Sequence, residues 1–148
     1  MKAVVQRVTK ASVSIDKAPG SVISEGLVVF LGVGKEDSPA EAAWLCEKIL
    51  NLRIFANEQG RFDRSVSDIK GELLIISQFT LYGDSRRGRR PDFTAAAEPK
   101  KALELYNEFV SLAAKSGLVI KTGEFAADML VELSNNGPVT IILDSHEK

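Results

Sequence analysis

Leu73-Leu74-Ile75-Ile76 is an apolar run with no polar break, set between Glu72 and Ser77. Side chains of a strand alternate between two faces, so four aliphatic residues in succession fill both faces of a sheet. A strand of this kind, over residues 72–79, needs cover on each side, which points to a layered α/β domain rather than a helical bundle.

The remaining sequence supplies the layers. Residues 3–8 and 11–15 alternate well enough for two strands. Pro19-Gly20 reads as a turn, and Val22-Ile23 and residues 27–33 read as strands, so the four form an antiparallel meander. Ser38-Pro39-Ala40-Glu41 starts a helix: Ser38 caps, Pro39 fits the first position and Glu41 completes a capping box. Ala42, Leu45, Cys46 and Ile49 give that helix an inward face. Residues 53–56 make a short strand. A second helix covers 99–116, with Ala102, Leu105, Phe109 and Leu112 as its inner stripe and Gly117 as its stop. Strands are expected over 118–122, 129–133 and 139–143. The sum is one mixed α/β domain over residues 1–148: a strongly curved, largely antiparallel, barrel-like sheet covered by two main helices.

Composition narrows the chemistry. The net charge is −1 over 148 residues, so a nucleic-acid partner needs a local basic patch. One cysteine, Cys46, leaves no intramolecular disulfide and no cysteine-rich zinc site, and Cys46 itself reads as a buried helix residue. The one histidine, His146, lies in the charged tail, outside every motif, and serves a catalytic triad only if that tail folds back into a pocket. No apolar run nears the roughly 20 residues of a membrane helix, and the N-terminus lacks the pattern of a signal peptide, so a cytoplasmic address is expected. Gly32-Val33-Gly34-Lys35 hints at a phosphate loop, but its first glycine is misplaced and Glu36 stands where a hydroxyl should be. Asp84, Asp128 and Asp144 have no spacing that marks an acid–base pair.

Three segments carry candidate chemistry. Ser77-Gln78-Phe79-Thr80-Leu81-Tyr82 lies where the buried strand runs out into a loop, offering hydroxyls, an amide and backbone N–H donors of the kind an oxyanion hole uses. Read plainly, it is a polar strand end. Asn135-Asn136-Gly137-Pro138 is either a hairpin turn between the last two strands or a rigid carbonyl pair for an ammonium group, if the Gly-Pro bond is cis. Gly83 to Phe93 carries Arg86, Arg87, Arg89 and Arg90: a solvated loop, or a phosphate grip beside a ring that stacks on a base.

Taken in order, with Met1-Lys2-Ala3-Val4-Val5-Gln6-Arg7-Val8 before them and Thr122-Gly123-Glu124-Phe125-Ala126-Ala127-Asp128-Met129 between the last two, these segments resemble the D-aminoacyl-tRNA deacylase family along nearly the whole chain. Asn136 stands where many relatives carry aspartate. The resemblance implies hydrolysis of the ester between a D-amino acid and tRNA, with glycine mischarged on an alanine tRNA also accepted, as chiral proofreading in translation. It implies that Ser77, Gln78, Phe79 and Thr80 line the pocket, with N–H groups near Phe79 and Thr80 binding the carbonyl oxygen and a substrate ribose hydroxyl helping to activate water. It implies a homodimer in which a cis Gly137-Pro138 pair from the partner subunit meets the substrate ammonium and excludes L side chains, held by Arg7. Arg86, Arg87, Arg89, Arg90 and Phe93 are the expected tRNA contacts. No cofactor or metal is expected.

Two other readings remain open on the residues. One is a non-catalytic RNA-binding module that uses the 86–93 loop. The other is a small-ester hydrolase acting through Thr80 or Ser77, for which the arginines would be idle. Thr80 as a covalent nucleophile lacks an evident base.

Overall fold

The computed structural model describes residues 1–16 and 18–147; Lys148, at the end of the tail, lies outside them. Among the described residues, eight strands and two α-helices follow the order β1 (Lys2–Ile15), β2 (Ala18–Ile23), β3 (Gly26–Gly32), α1 (Pro39–Leu50), β4 (Phe55–Ala56), β5 (Phe62–Arg64), β6 (Glu72–Ser77), α2 (Pro99–Ala114), β7 (Ile120–Thr122) and β8 (Met129–Asp144). A 3-10 turn, Phe79–Tyr82, follows β6.

The main sheet runs β2-β1-β3-β6-β7, with β8 also paired to β1. β1 is antiparallel to β2, β3 and β8, whereas β3, β6 and β7 run parallel to one another. The sheet curls until its ends approach: Ser21 Oγ on β2 donates to the Thr122 carbonyl on β7 at 2.7 Å. The curved, largely antiparallel α/β architecture expected from the sequence is what forms.

The apolar run on β6 has cover on both sides. Leu73 and Ile75 join the larger core under the helices, and Leu74 and Ile76 join a second core with Val8, Ala11, Val13, Ile23 and Val28. β3 alternates in the same way, with Leu27, Val29 and Leu31 toward the helices and Val28 away from them. α1 begins as expected: Ser38 Oγ accepts from Ala40 N–H at 3.3 Å, and the Glu41 carboxylate accepts from Ser38 N–H at 3.0 Å. It buries Ala42, Leu45, Cys46 and Ile49. α2 buries Ala102, Leu105, Tyr106, Phe109 and Ala113; Leu112 lies only partly buried at the margin of the stripe.

Three expectations are corrected. Residues 2–15 form one strand, not two, which pairs directly with both β2 and β3, so the meander does not form. β1 is long enough to pair with β3 through its first half and β2 through its second, which places the two hairpin partners end to end on one edge. Pro19-Gly20 is not the turn; both lie within β2, where Pro19 pairs with Ser14 at the outer edge of the sheet. Asn135-Asn136-Gly137-Pro138 is not a hairpin either. β8 runs on through it, antiparallel to β1 from Ile15↔Met129 to Lys2↔Asp144.

Candidate active site

Asn136, Gly137 and Pro138 are surplus residues in a ladder. Val8 pairs with Asn135 and Gln6 with Thr140, so five steps on β8 face two on β1. Three residues must leave the sheet, and these three are exposed. Asn135 closes the neck of the bulge: its Oδ1 accepts from Val139 N–H at 3.0 Å, and its Nδ2 donates to Thr140 Oγ1 at 3.0 Å. Val139 then returns to the core. The Gly137-Pro138 bond is cis. Gly137 has φ +126°, and a Cβ there would lie 2.7 Å from Val139 Cγ2 and 2.8 Å from Arg7 Nη2. Only glycine fits such a conformation without strain. Arg7 lies opposite the bulge, where its Nε donates to the Asn136 carbonyl at 3.0 Å and its Nη1 to the Ile54 carbonyl at 2.5 Å.

The other candidate segment sits elsewhere. Ser77, Gln78 and Phe79 line a cavity of about 600 Å³ with Leu31, Ile76, Phe93, Tyr106 and Met129 among its walls. The cavity opens beyond the carboxyl ends of β3 and β6, the position that open parallel strands favour for ligands. Gln78 Nε2 donates to Thr80 Oγ1, so the Thr80 oxygen faces an N–H donor and not a base. That arrangement holds the hydroxyl in place and opposes its use as a nucleophile. Phe79 and Thr80 lead the 3-10 turn, where the first N–H groups have no partner within the turn. Tyr106 also borders the cavity; its hydroxyl donates to the Ile75 carbonyl at 2.8 Å, and burial pushes its pKa up to about 12. It therefore stays protonated at neutral pH.

The arginine loop is hinged on this cavity. Asp84 and Asp92 pair backbone to backbone and close its neck. Phe93 packs edge-on against Phe79 with centroids 5.1 Å apart, although Phe79 is 57% exposed. Arg86 is engaged by Asp84, whose carboxylate takes its Nε at 2.9 Å and its Nη2 at 2.6 Å. Hydrogen bonds from Arg86 hold the Asp84 carboxyl at about 2. Arg87, Arg89 and Arg90 are exposed on the loop.

The structure brings Ser77, Gln78, Phe79 and Phe93 together around the cavity, with Thr80 bonded to Gln78 but not among the lining residues, and brings Arg7 to Gly137 and Pro138, but does not join the two groups. Ser77 pairs with Leu31 and Leu31 with Ala3. Arg7 is four residues further along β1, about 13 Å at strand rise.

Several residues outside these motifs also take defined places. Asp128 borders the cavity. Gly34 belongs to no phosphate loop; a Cβ there would lie 2.7 Å from the Tyr82 ring. Asp37 is buried, and its carboxylate meets the Met1 ammonium at 2.5 Å, Gly34 N–H at 2.6 Å, Tyr82 OH at 3.1 Å and His146 Nε2 at 2.8 Å. Burial raises the Asp37 pKa, but these hydrogen bonds, led by the ammonium, outweigh it and leave it below the usual range. The tail does fold back, yet His146 reaches Asp37 and not the cavity. Burial pushes the Cys46 thiol up to about 11, as suits a packed core residue. Among the described residues there is no cluster of metal-binding side chains, and no helix is long and apolar enough to cross a membrane.

Comparison with known proteins gives one result. The model of the family described as D-Tyr-tRNA(Tyr) deacylase matches residues 4–144. The D-aminoacyl-tRNA deacylase of Thermotoga petrophila is 53% identical over 145 residues, covering 98% of this chain and 97% of that one. That of Desulforudis audaxviator is 52% identical over 147 residues, covering 99% of each. Among solved structures, the c-Myc DNA unwinding element binding protein superposes with a TM-score of 0.91 at 44% identity, covering 97% of this chain and 98% of that one. A probable eukaryotic D-amino acid tRNA deacylase shares the fold, with a TM-score of 0.85 at 13% identity and coverage of 96% and 97%. By sequence, by fold and by the motifs that line its cavity, this chain belongs to the D-Tyr-tRNA(Tyr) deacylase family.

Proposed function

We propose that this chain works in the cytoplasm as a homodimer that removes D-amino acids and glycine from tRNA and spares L-aminoacyl esters. Family membership carries the reaction: it is a hydrolase of D-aminoacyl-tRNA. The observation that supports the tRNA end of the reading most directly is the Phe79–Phe93 contact, because it joins the cavity wall to the arginine loop. With the terminal ester seated in the cavity, the neighbouring tRNA phosphates would be held by Arg87, Arg89 and Arg90, with Arg86 oriented by Asp84. A small-ester hydrolase has no use for that loop.

In this reading the N–H groups of Phe79 and Thr80 donate to the carbonyl oxygen as negative charge develops on it. Water attacks, helped by the neighbouring ribose hydroxyl, and the ribose oxygen leaves. Thr80 positions rather than attacks, which its bond from Gln78 supports. Gly137-Pro138 excludes L side chains by clash, so the D side chain itself matters little and glycine passes.

The separation of Gly137-Pro138 from the cavity within one chain supports a site shared between subunits. Leu130 and Ile142, 63% and 77% exposed on β8, support an interface on that strand. The main sheet draws strands from both ends of the chain, which supports a single deacylase domain over 1–148.

Mixed dimers test the shared site. One subunit would carry Gly137→Ala and the other Gln78→Ala plus Phe79→Ala. Each homodimer should be weak, and the mixed dimer should regain one working site and cleave glycyl-tRNA and D-tyrosyl-tRNA. No recovery in the mixed dimer would contradict sharing. A non-catalytic reading, for which the name of the c-Myc DNA unwinding element binding protein offers support, predicts nucleic-acid binding without ester cleavage.

A further inference from the structure

Phe62 is an exposed aromatic residue in a chain that buries Phe55 and Phe109. It is 56% exposed and begins β5, in the small β4–β5 hairpin that stands outside the main sheet. The Arg7 guanidinium carbon lies over its ring, 5.4 Å from the centroid. The same hairpin arm supplies the Ile54 carbonyl that Arg7 Nη1 bonds, just before β4. The arm therefore meets one guanidinium twice, once through a carbonyl that accepts from it and once through a ring over which it lies.

The arm is itself held firmly. Arg64 donates through Nε and Nη2 to the Ala56 carbonyl at 2.9 and 2.6 Å, and Arg53 Nε donates to the Asp63 carbonyl at 2.6 Å. At its tip, Asn57 Oδ1 accepts from Gln59 N–H at 2.9 Å and Arg61 N–H at 3.1 Å. A guanidinium is planar and rigid, so two carbonyl acceptors fix its direction, and the ring beneath it adds a cation–π contact. What lies beyond it is the Asn136 carbonyl, bonded to Nε, and Gly137, too near to Nη2 to admit a Cβ.

We propose that Phe62 is a positioning residue for the Gly137-Pro138 bulge, acting through Arg7, so that the β4–β5 hairpin helps to set selectivity between D and L esters. This rests on the reading that Gly137-Pro138 faces the substrate. Phe62 touches no reacting atom; it holds the cation that holds the bulge.

The test compares Phe62→Ala, Phe62→Leu, Phe62→Tyr, Arg7→Ala and Pro138→Ala with the unchanged protein. For each, kcat/KM is measured separately on D-tyrosyl-tRNA and L-tyrosyl-tRNA, alongside a melting curve. Loss of the ring's face should lower the D-to-L ratio about fivefold in the alanine and leucine variants, the scale of an exposed cation–π contact. The tyrosine variant should keep the ratio, because it keeps the face. The melting curves should barely move, since the ring fills no core. A leucine variant with an unchanged ratio would overturn the proposal, because bulk alone would then suffice. So would an unchanged ratio in the alanine variant beside a lowered one in Arg7→Ala, which leaves the substrate-facing bulge intact as a reading. If Arg7→Ala and Pro138→Ala also keep the full ratio, the underlying reading of the bulge falls and the role of Phe62 falls with it.

Discussion

A hydroxyl that accepts from an amide N–H is a poor nucleophile, and Thr80 is bonded in that way by Gln78. Thr80→Ala should therefore lower the rate of D-aminoacyl-tRNA hydrolysis about tenfold, near 1.4 kcal/mol, and leave turnover measurable. A loss on the order of ten-thousandfold with tRNA binding intact would return Thr80 to the role of nucleophile. Gly137→Ala should do more damage to the reaction than to the fold. Its φ of +126° and the Val139 and Arg7 atoms at 2.7 and 2.8 Å from an added methyl force the bulge to move, but the bulge is exposed. Activity on D esters should fall at least about tenfold, with a melting point close to that of the unchanged chain. At this scale the sequence was informative where residue type dictates geometry, as with the Ser38–Glu41 capping box, whereas the cis Gly137-Pro138 bond was expected only from the family resemblance and the residues themselves suggested a hairpin turn. Asp37 and Asn135 were not legible, because their partners are distant or cross a bulge: Asp37 meets residues 1, 34, 82 and 146, and Asn135 reaches over three surplus residues.

The arginine loop is a unit closed by the Asp84–Asp92 pair and anchored by Phe93 on Phe79. Replacing Arg89 and Arg90 together by alanine should raise KM for charged tRNA and weaken its salt dependence, by about one unit of slope for each lost phosphate contact. Turnover at saturation should change little. An unchanged KM and salt slope would remove the loop from tRNA binding. Helices were readable from caps and apolar spacing, since both signals are local. The two long strands were not. β1 pairs with three partners along its length and β8 passes through an Asn-Gly signal without turning, and both outcomes are decided by partners far away in sequence. A local turn propensity of Asn136-Gly137 yields to a ladder that resumes at Thr140.

At the scale of the whole molecule, Asp37 ties the start of β1, the loop before α1, the 3-10 turn after β6 and the C-terminal tail to one buried carboxylate. Its pKa is lower in the fold than in the unfolded chain, where it is about 3.9. The stability it contributes is therefore fully present above the unfolded value and is lost as pH falls through the folded value. Asp37→Asn should destabilise the fold at neutral pH by about 3 kcal/mol, the scale of breaking a buried pair, and the deficit should shrink in acid. Urea unfolding of both chains at neutral and acidic pH checks this; a deficit that grows on acidification would contradict the assignment. Chiral selection by the whole enzyme is measured by the release of tyrosine from D-tyrosyl-tRNA and from L-tyrosyl-tRNA by the unaltered protein. Release should be rapid from the D ester and no faster than background from the L ester. Equal cleavage of both would contradict exclusion by Gly137-Pro138, and cleavage of neither, with tRNA still bound, would contradict the deacylase itself.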